Sequence, residues 1–469
     1  MEQVFAPGIG LWLDARKMGL SPADFSDPAL DEALDAMLAL EGGAISNPDE
    51  GRQVGHYWLR NPGIAPDHAR DAIQRSLTEL GQLVERVRGG GFTDFLVIGI
   101  GGSALGPQLL ADAFSSGPRG LRPHFLDNTD PAGMDRTLAG LDLQRTLVLV
   151  MSKSGGTKET RNGVVETVTA FDRVGLSFAD QAVAITCAGS ALERQAKAEA
   201  WFGVLPMWDW VGGRTSITSM VGLAPLALLD LDYRAFLDGA AACDEATRKR
   251  QENPALLLAL AWHRAGRGSG ARAMVVLPYR DQLLLFSRYL QQLVMESIGK
   301  RWDLAGKEVF QGLTVYGNKG STDQHAFVQQ LREGPDDFFV TFITSLAERA
   351  TPEVEPGVSS GDYLLAFMLG TRRALTESGR RSLTLVVDAL DPFHLGVLVA
   401  LYERAVGFYA SMLGINAYHQ PGVEAGKRAA AEILAMHHAI LAGEPVPDSD
   451  DATLWRKHLG ATGRGGPKR

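Results

Sequence analysis

Apolar residues recur along the chain with two different periods, and the alternation between them predicts the architecture. Over Pro28–Leu40 and Ala72–Val87 they return every three or four positions, the spacing of a helix with one buried face. Ser21-Pro22-Ala23-Asp24 reads as a capped start ahead of the first stretch, and Gly89-Gly90-Gly91 stops the second. Beyond residue 91 short runs of apolar and β-branched residues take over, at Phe95–Ile100, His124–Leu126, Thr146–Met151 and Ala182–Cys187, separated by helix-like segments. Short apolar strands alternating with helices imply crossover connections and a parallel sheet covered on both faces. The pattern restarts at the helix-like Pro254–Arg264. It continues through expected strands at Ala273–Leu277, Leu313–Tyr316, Phe338–Ile343 and Leu383–Val387, with helices at Leu283–Ser297 and Gly426–Ala442. The expected fold class is α/β, with two doubly wound α/β/α sandwich domains and mainly parallel sheets. Residues 1–90 are expected as an N-terminal helical segment, 91–240 as the first domain and 241–445 as the second, with the boundary inside Asp232–Asn253. Residues 446–469 are expected as a tail with a disordered, glycine-rich and basic end over Gly460–Arg469.

Composition narrows the partners. The 469 residues are 45% hydrophobic and 22% charged, as in ordinary globular proteins. A net charge of -9 opposes non-specific nucleic-acid binding, so an anionic ligand must meet cations concentrated locally. Cys187 and Cys243 are too few for a disulfide framework, which points to a reducing compartment. Met1–Leu11 lacks the basic leader and apolar core of a signal peptide. The apolar windows Met220–Leu229 and Leu395–Leu401 end at charges or are broken by Pro225, short of the roughly 18–20 residues of a membrane span. The expectation is a cytoplasmic protein with no membrane and no nucleic-acid partner.

Two loops in the first predicted domain suit a phosphate. Gly99-Ile100-Gly101-Gly102-Ser103-Ala104 follows a strand and opens a helix, where glycines let backbone N–H groups approach an anion. It equally fits a dinucleotide fingerprint with Asp127 as the ribose contact, or a plain turn. Ser152-Lys153-Ser154-Gly155-Gly156-Thr157 also runs from a strand into a helix, and brings three hydroxyls, a lysine and a glycine pair. That set suits a phosphate that is held and not transferred. Helix capping is the plain alternative, but capping needs one such residue.

The chain beyond these loops offers a base, an acid/base and a fixed cation. Leu283, Phe286, Leu290, Leu293, Val294 and Ser297 trace an inner stripe, and Gln292 and Glu296, four apart, share another face. A one-turn pair between Glu296 and Lys300 is the plain alternative. His325 follows a polar loop after a strand, where open α/β sheets bind ligands. Arg214, beside Gly212-Gly213, is either a fixed cation for a developing negative charge or a surface ion-pair residue. Lys427 stands near a helix start, where the dipole disfavours a cation unless an anion is close.

Read in order, Gly-Ile-Gly-Gly-Ser (99–103), Ser-Lys-Ser-Gly-Gly-Thr (152–157) and Gly-Gly-Arg-Thr-Ser (212–216) are followed by three further motifs. These are Met-Glu-Ser-Ile-Gly-Lys (295–300), Gly-Ser-Thr-Asp-Gln-His-Ala-Phe (320–327) and Gln-Pro-Gly-Val-Glu-Ala-Gly-Lys (420–427). The set resembles the glucose-6-phosphate isomerase family in its shorter bacterial form, over about residues 50–440. The resemblance implies sugar isomerase domains and an aldose–ketose isomerase of hexose 6-phosphates, working without metal or cofactor. By that resemblance Gly102, Ser103, Ser152, Lys153, Ser154 and Thr157 hold the substrate's phosphate end, Glu296 is the base, and His325 and Lys427 act in ring opening. Arg214 stabilises the enediolate, and Gln292 and Gln420 orient the sugar. It also implies a homodimer with shared active sites. A sugar-phosphate-sensing regulator would need only the 152–157 loop, a nicotinamide-dependent dehydrogenase only the glycine loop and Asp127, and mannose 6-phosphate stays open as a substrate.

Overall fold

A computed structural model of the chain describes residues 2–464, apart from the side chains of Glu424, Ala425 and Lys427. The chain divides into two compact units, Met1–Tyr418 and His419–Arg469.

The described residues of the first unit form a six-stranded sheet, a five-stranded sheet and two two-stranded hairpins. Strands β1 (Gln3–Ala6) and β2 (Leu11–Lys17) form an antiparallel hairpin. Strands β3 (Asp94–Ile98), β4 (Arg122–Leu126), β5 (Thr146–Met151), β6 (Ala182–Cys187) and β7 (Gly203–Met207) build a wholly parallel sheet in the order β4-β3-β5-β6-β7. After β8 (Ala273–Pro278) come a short hairpin of β9 (Lys300–Trp302) with β10 (Glu308–Gln311), then β11 (Val315–Tyr316) and β12 (Phe338–Ser345). A second small hairpin, β13 (Glu353–Glu355) with β14 (Val358–Ser359), precedes β15 (Ser382–Val387). Strands β11, β8, β12 and β15 are parallel neighbours, and the β1–β2 hairpin closes the β15 edge antiparallel. Every residue of β3, β5, β12 and β15 is buried, as the continuous apolar runs require of strands covered on both faces. The fold class is α/β with mostly parallel sheets.

Three local readings are corrected. The segment 1–90 is not only helices and loops, because β1 and β2 lie in it. β2 went unread because Asp14 interrupts its apolar run, yet Asp14 is buried by accepting two bonds from the Arg16 side chain at 2.9 and 2.7 Å. β7 carries Gly203 and Pro206, which read as breakers, but it is an edge strand where proline's missing N–H is tolerated. The expected helix Leu283–Ser297 is three pieces, a 3₁₀ turn Asp281–Leu283, an α-helix Phe286–Leu290 and a π-helix Gln291–Glu296.

The second unit is helical, with Pro421–Ala442 ended by left-handed Gly443, and Asp450–Ala461 started by the Ser449 hydroxyl. His437 and Trp455 join them, ring centroids 4.4 Å apart. The tail 446–469 is therefore helical over Asp450–Ala461, and the end expected to be disordered lies, from 465, outside the described residues.

Helix Pro392–Met412 is long and apolar enough to cross a membrane by length and composition, but 89% of its apolar window is buried in the fold. The charges that interrupt its apolar run, Glu403 and Arg404, are themselves buried. Glu403 pairs with Arg60, and Arg404 pairs with Glu41 at the end of helix Ala29–Glu41. Asp244, on helix Tyr233–Ala246, accepts from Arg60 at 2.9 Å, and Arg248 reaches Glu41 at 2.8 Å. Removing one partner from such a cluster strands the other's charge in a low dielectric. Glu403→Gln is expected to cost about 3–5 kcal/mol, whereas Glu85→Gln, in an exposed pair with Arg88, costs under about 1 kcal/mol. Chemical unfolding of both variants checks the contrast.

Candidate active site

The order of the five-stranded sheet reverses between β3 and β5, and in doubly wound sheets such a reversal opens a crevice beyond the strands' carboxyl ends. Both phosphate-type loops lie there. After β3 the chain turns through Gly101, at φ 58, into helix Gly102–Ala113. After β5, residues 152–157 lead into helix Lys158–Arg173. The Ser152 and Thr157 hydroxyls bond each other at 3.1 Å, the Gly155 N–H donates to Ser152 Oγ and the Gly156 N–H to Ser154 Oγ. Thr157, the residue before the helix, makes no side-chain cap bond, so the hydroxyl cluster is not spent on capping. Lys153 Nζ donates to the Asp209 and Val211 carbonyls at 2.7 and 3.1 Å. Its burial, and next the Arg52 guanidinium, lower its pKa. Asp127, the ribose contact of a dinucleotide reading, instead accepts from Gln108 at 2.8 Å.

The loop after β3 touches the turn that carries Arg214. A Cβ on Gly102 would lie 1.9 Å from the Gly213 carbonyl oxygen, so only glycine permits this approach. Ser216 Oγ adds a bond to the Gly102 carbonyl at 3.3 Å. In that turn Arg214 is 6% exposed; its Nε donates to Glu296 Oε2 at 3.1 Å and its Nη1 to the Ala417 carbonyl at 2.7 Å. Burial pulls its pKa down, and the Glu296 carboxylate opposes that shift. The surface ion-pair alternative for Arg214 is thereby excluded.

Glu296 ends the π-helix, a rare geometry enriched at functional sites. Its side chain stays 32% exposed beside the buried Arg214. Gln292 Nε2 stands 3.4 Å from Glu296 Oε2, and a Cβ on Gly101 would lie 3.2 Å from that same nitrogen. Lys300 does not pair with the Glu296 carboxylate; its ammonium donates to the Glu296 and Ser297 carbonyls at 2.5 and 2.9 Å. Gly101, Gly102, Ser103, Arg214, Gln292 and Glu296 thus form one contiguous set across the two sheets' loops.

His325 closes a 3₁₀ turn, Asp323–His325, beyond β11. Asp323 braces that turn by accepting from the Asn318 N–H at 2.8 Å. The His325 ring is exposed, without a hydrogen-bond, ion-pair or ring partner among the described residues. Gln420 and Lys427 belong to the second unit, Gln420 just before helix Pro421–Ala442, and the Lys427 side chain lies outside the described residues.

The phosphoglucose isomerase family model matches residues 25–376 and 367–453. The chain belongs to this family. It is 58% identical over 457 residues to the glucose-6-phosphate isomerase of Geobacter sulfurreducens, covering 94% of this chain and 86% of that one. With the glucose-6-phosphate isomerase of Thermosynechococcus vestitus it shares 54% over 454 residues, covering 93% and 86%. The crystal structure of a Chlamydia trachomatis glucose-6-phosphate isomerase superposes with a TM-score of 0.87 at 28% identity, covering 98% of this chain and 93% of that one. The segments 99–103, 212–216 and 295–300, on which the resemblance rests, meet here.

The spacing of Glu296 and Lys300 suggests a carboxylate pair and not these carbonyl bonds, and no local pattern marks the Ala417 carbonyl as a partner of Arg214. The glycine contact gives a direct test. Gly102→Ala should cost roughly 1–3 kcal/mol through overpacking, whereas Gly213→Ala, whose added Cβ meets nothing within 4 Å, should be near neutral. Thermal unfolding of the two variants should separate them.

Proposed function

We propose that the chain interconverts glucose 6-phosphate and fructose 6-phosphate, an aldose–ketose isomerisation serving glycolysis and gluconeogenesis in the cytoplasm. The observation that carries this reading is the pairing of a partly exposed Glu296 carboxylate with the buried Arg214 guanidinium beside the crevice loops. A carboxylate that faces solvent on one side and a fixed cation on the other suits proton abstraction next to a carbonyl. In this mechanism the phosphate rests on the Ser152–Thr157 loop, with Ser103 and the Gly102 backbone beside it. His325 and Lys427 open the ring by moving a proton between the ring oxygen and O1. Glu296 takes the proton from C2, an enediolate forms across C1 and C2 with Arg214 stabilising its negative charge, and the O2 hydroxyl proton passes to O1. The protonated Glu296 then returns the proton to C1, giving the ketose, while Gln292 and Gln420 hold the sugar hydroxyls. The working form is a homodimer with shared sites; the His325 ring, exposed and without a partner among the described residues, supports a role in a neighbouring subunit's site.

Proton NMR of fructose 6-phosphate in D₂O with the purified protein, EDTA and no nucleotide tests the reaction. The expected outcome is glucose 6-phosphate deuterated at C2; no conversion by folded protein would leave a sugar-phosphate binder. In the same assay Glu296→Gln should abolish turnover while binding of the sugar phosphate persists. A Lys153→Ala, Ser154→Ala double variant should chiefly raise KM, because phosphate contacts act on ground and transition states alike. Steady-state kinetics distinguish that result from a fall in kcat alone, which would remove the loop's assignment.

A further inference from the structure

Lys300 is a lysine in an unusual place. Its side chain is 4% exposed, although lysine is rarely buried. It begins β9, where the chain leaves the π-helix Gln291–Glu296. Carbonyls at a helix C-terminus lack intrahelical partners, and a cation there is favoured by the dipole. The Lys300 ammonium takes two of them, those of Glu296 and Ser297. The carbonyl at one end of Glu296 is therefore held by Lys300, while the carboxylate at the other is held by Arg214.

We propose that Lys300 is a positioning residue for Glu296, its ammonium clamping the last turn of the π-helix so that the carboxylate stays on Arg214 and faces the reacting carbons. The inference rests on the isomerase reading above. Among the described residues, the charged groups that act on the ammonium are the Arg214 guanidinium and the Glu296 and Asp49 carboxylates. Burial first, and Arg214 second, lower the Lys300 pKa from 10.5 to about 7. Below that pH the clamp is charged; as pH rises through it the ammonium loses its proton, and its hold on the carbonyls weakens. Turnover should therefore fall on the alkaline side, with little change in KM, because the phosphate is held by the separate loop after β5.

The test compares kcat and KM between pH 6 and pH 9 for the wild type, Lys300→Met and Lys300→Arg, with fructose 6-phosphate as substrate. Lys300→Met should lose roughly tenfold to a hundredfold in kcat, keep KM within about twofold, and lose the alkaline limb. Lys300→Arg, permanently charged, should recover much of kcat and also lack the limb. If Lys300→Arg keeps the wild-type limb, or Lys300→Met keeps wild-type kcat, the inference is overturned. Should Lys300→Met fail to fold, the pH profile of Lys300→Arg decides alone. A wild type that does not isomerise overturns the proposed function and this inference with it, whereas an active wild type with an unshifted Lys300→Arg profile overturns this inference alone.

Discussion

Two arginines buried to the tips of their side chains, Arg60 and Arg404, impose the constraint around which the first unit is arranged. Neither can shed its proton, so each must be matched by a carboxylate carried in from elsewhere in the chain. Glu41, Asp244 and Glu403 supply the matching charges, with the half-buried Arg248 completing the balance. Because those carboxylates sit on three different helices, satisfying the charges fixes how helices Ala29–Glu41, Tyr233–Ala246 and Pro392–Met412 approach. A pairing error would leave a bare charge in the core, which makes the cluster a device for a single arrangement more than a large source of stability.

That constraint reaches the site through one hydroxyl. Tyr289 Oη donates to Glu403 at 3.2 Å, and Tyr289 lies on the α-helical turn that continues directly into the π-helix of Gln292 and Glu296. The candidate base is thus anchored from behind by the ion cluster, at its carbonyl by Lys300 and at its carboxylate by Arg214. Rigid support of this kind is what proton transfer needs, since small displacements of a reacting group are costly in rate. The π-helix is consistent with it, because so rare a turn occurs mostly at functional sites.

How much of this could be read from the sequence follows from how local each feature is. Strands β5 and β6 were legible to the residue, since burial on both faces leaves continuous apolar runs. The hairpin β1–β2 and the edge strand β7 were not, because a paired aspartate in one and a proline in the other hide the pattern. The ion cluster was invisible: Arg404 and Glu41 stand 363 residues apart, and each alone reads as a surface charge. The site was half legible. Its loops carry local chemistry, but the Arg214–Glu296 contact spans 82 residues, and only their shared family motifs linked them beforehand.

The arrangement of cations also bears on how an acidic protein would orient a sugar phosphate under the proposed reading. Arg214 is matched by Glu296, so it adds little net attraction for a distant anion. Arg52, next to the hydroxyl loop, is likewise matched by Glu50. Lys153 differs, for its ammonium rests on the neutral carbonyls of Asp209 and Val211, which position it without cancelling its charge. Lys153 therefore leaves a positive charge at the loop after β5, to which, under that reading, the phosphate of a dianion would be drawn. Binding energy spent there leaves Arg214 to respond to the charge that develops only when Glu296 accepts a proton, a distinction on which catalysis by differential binding depends.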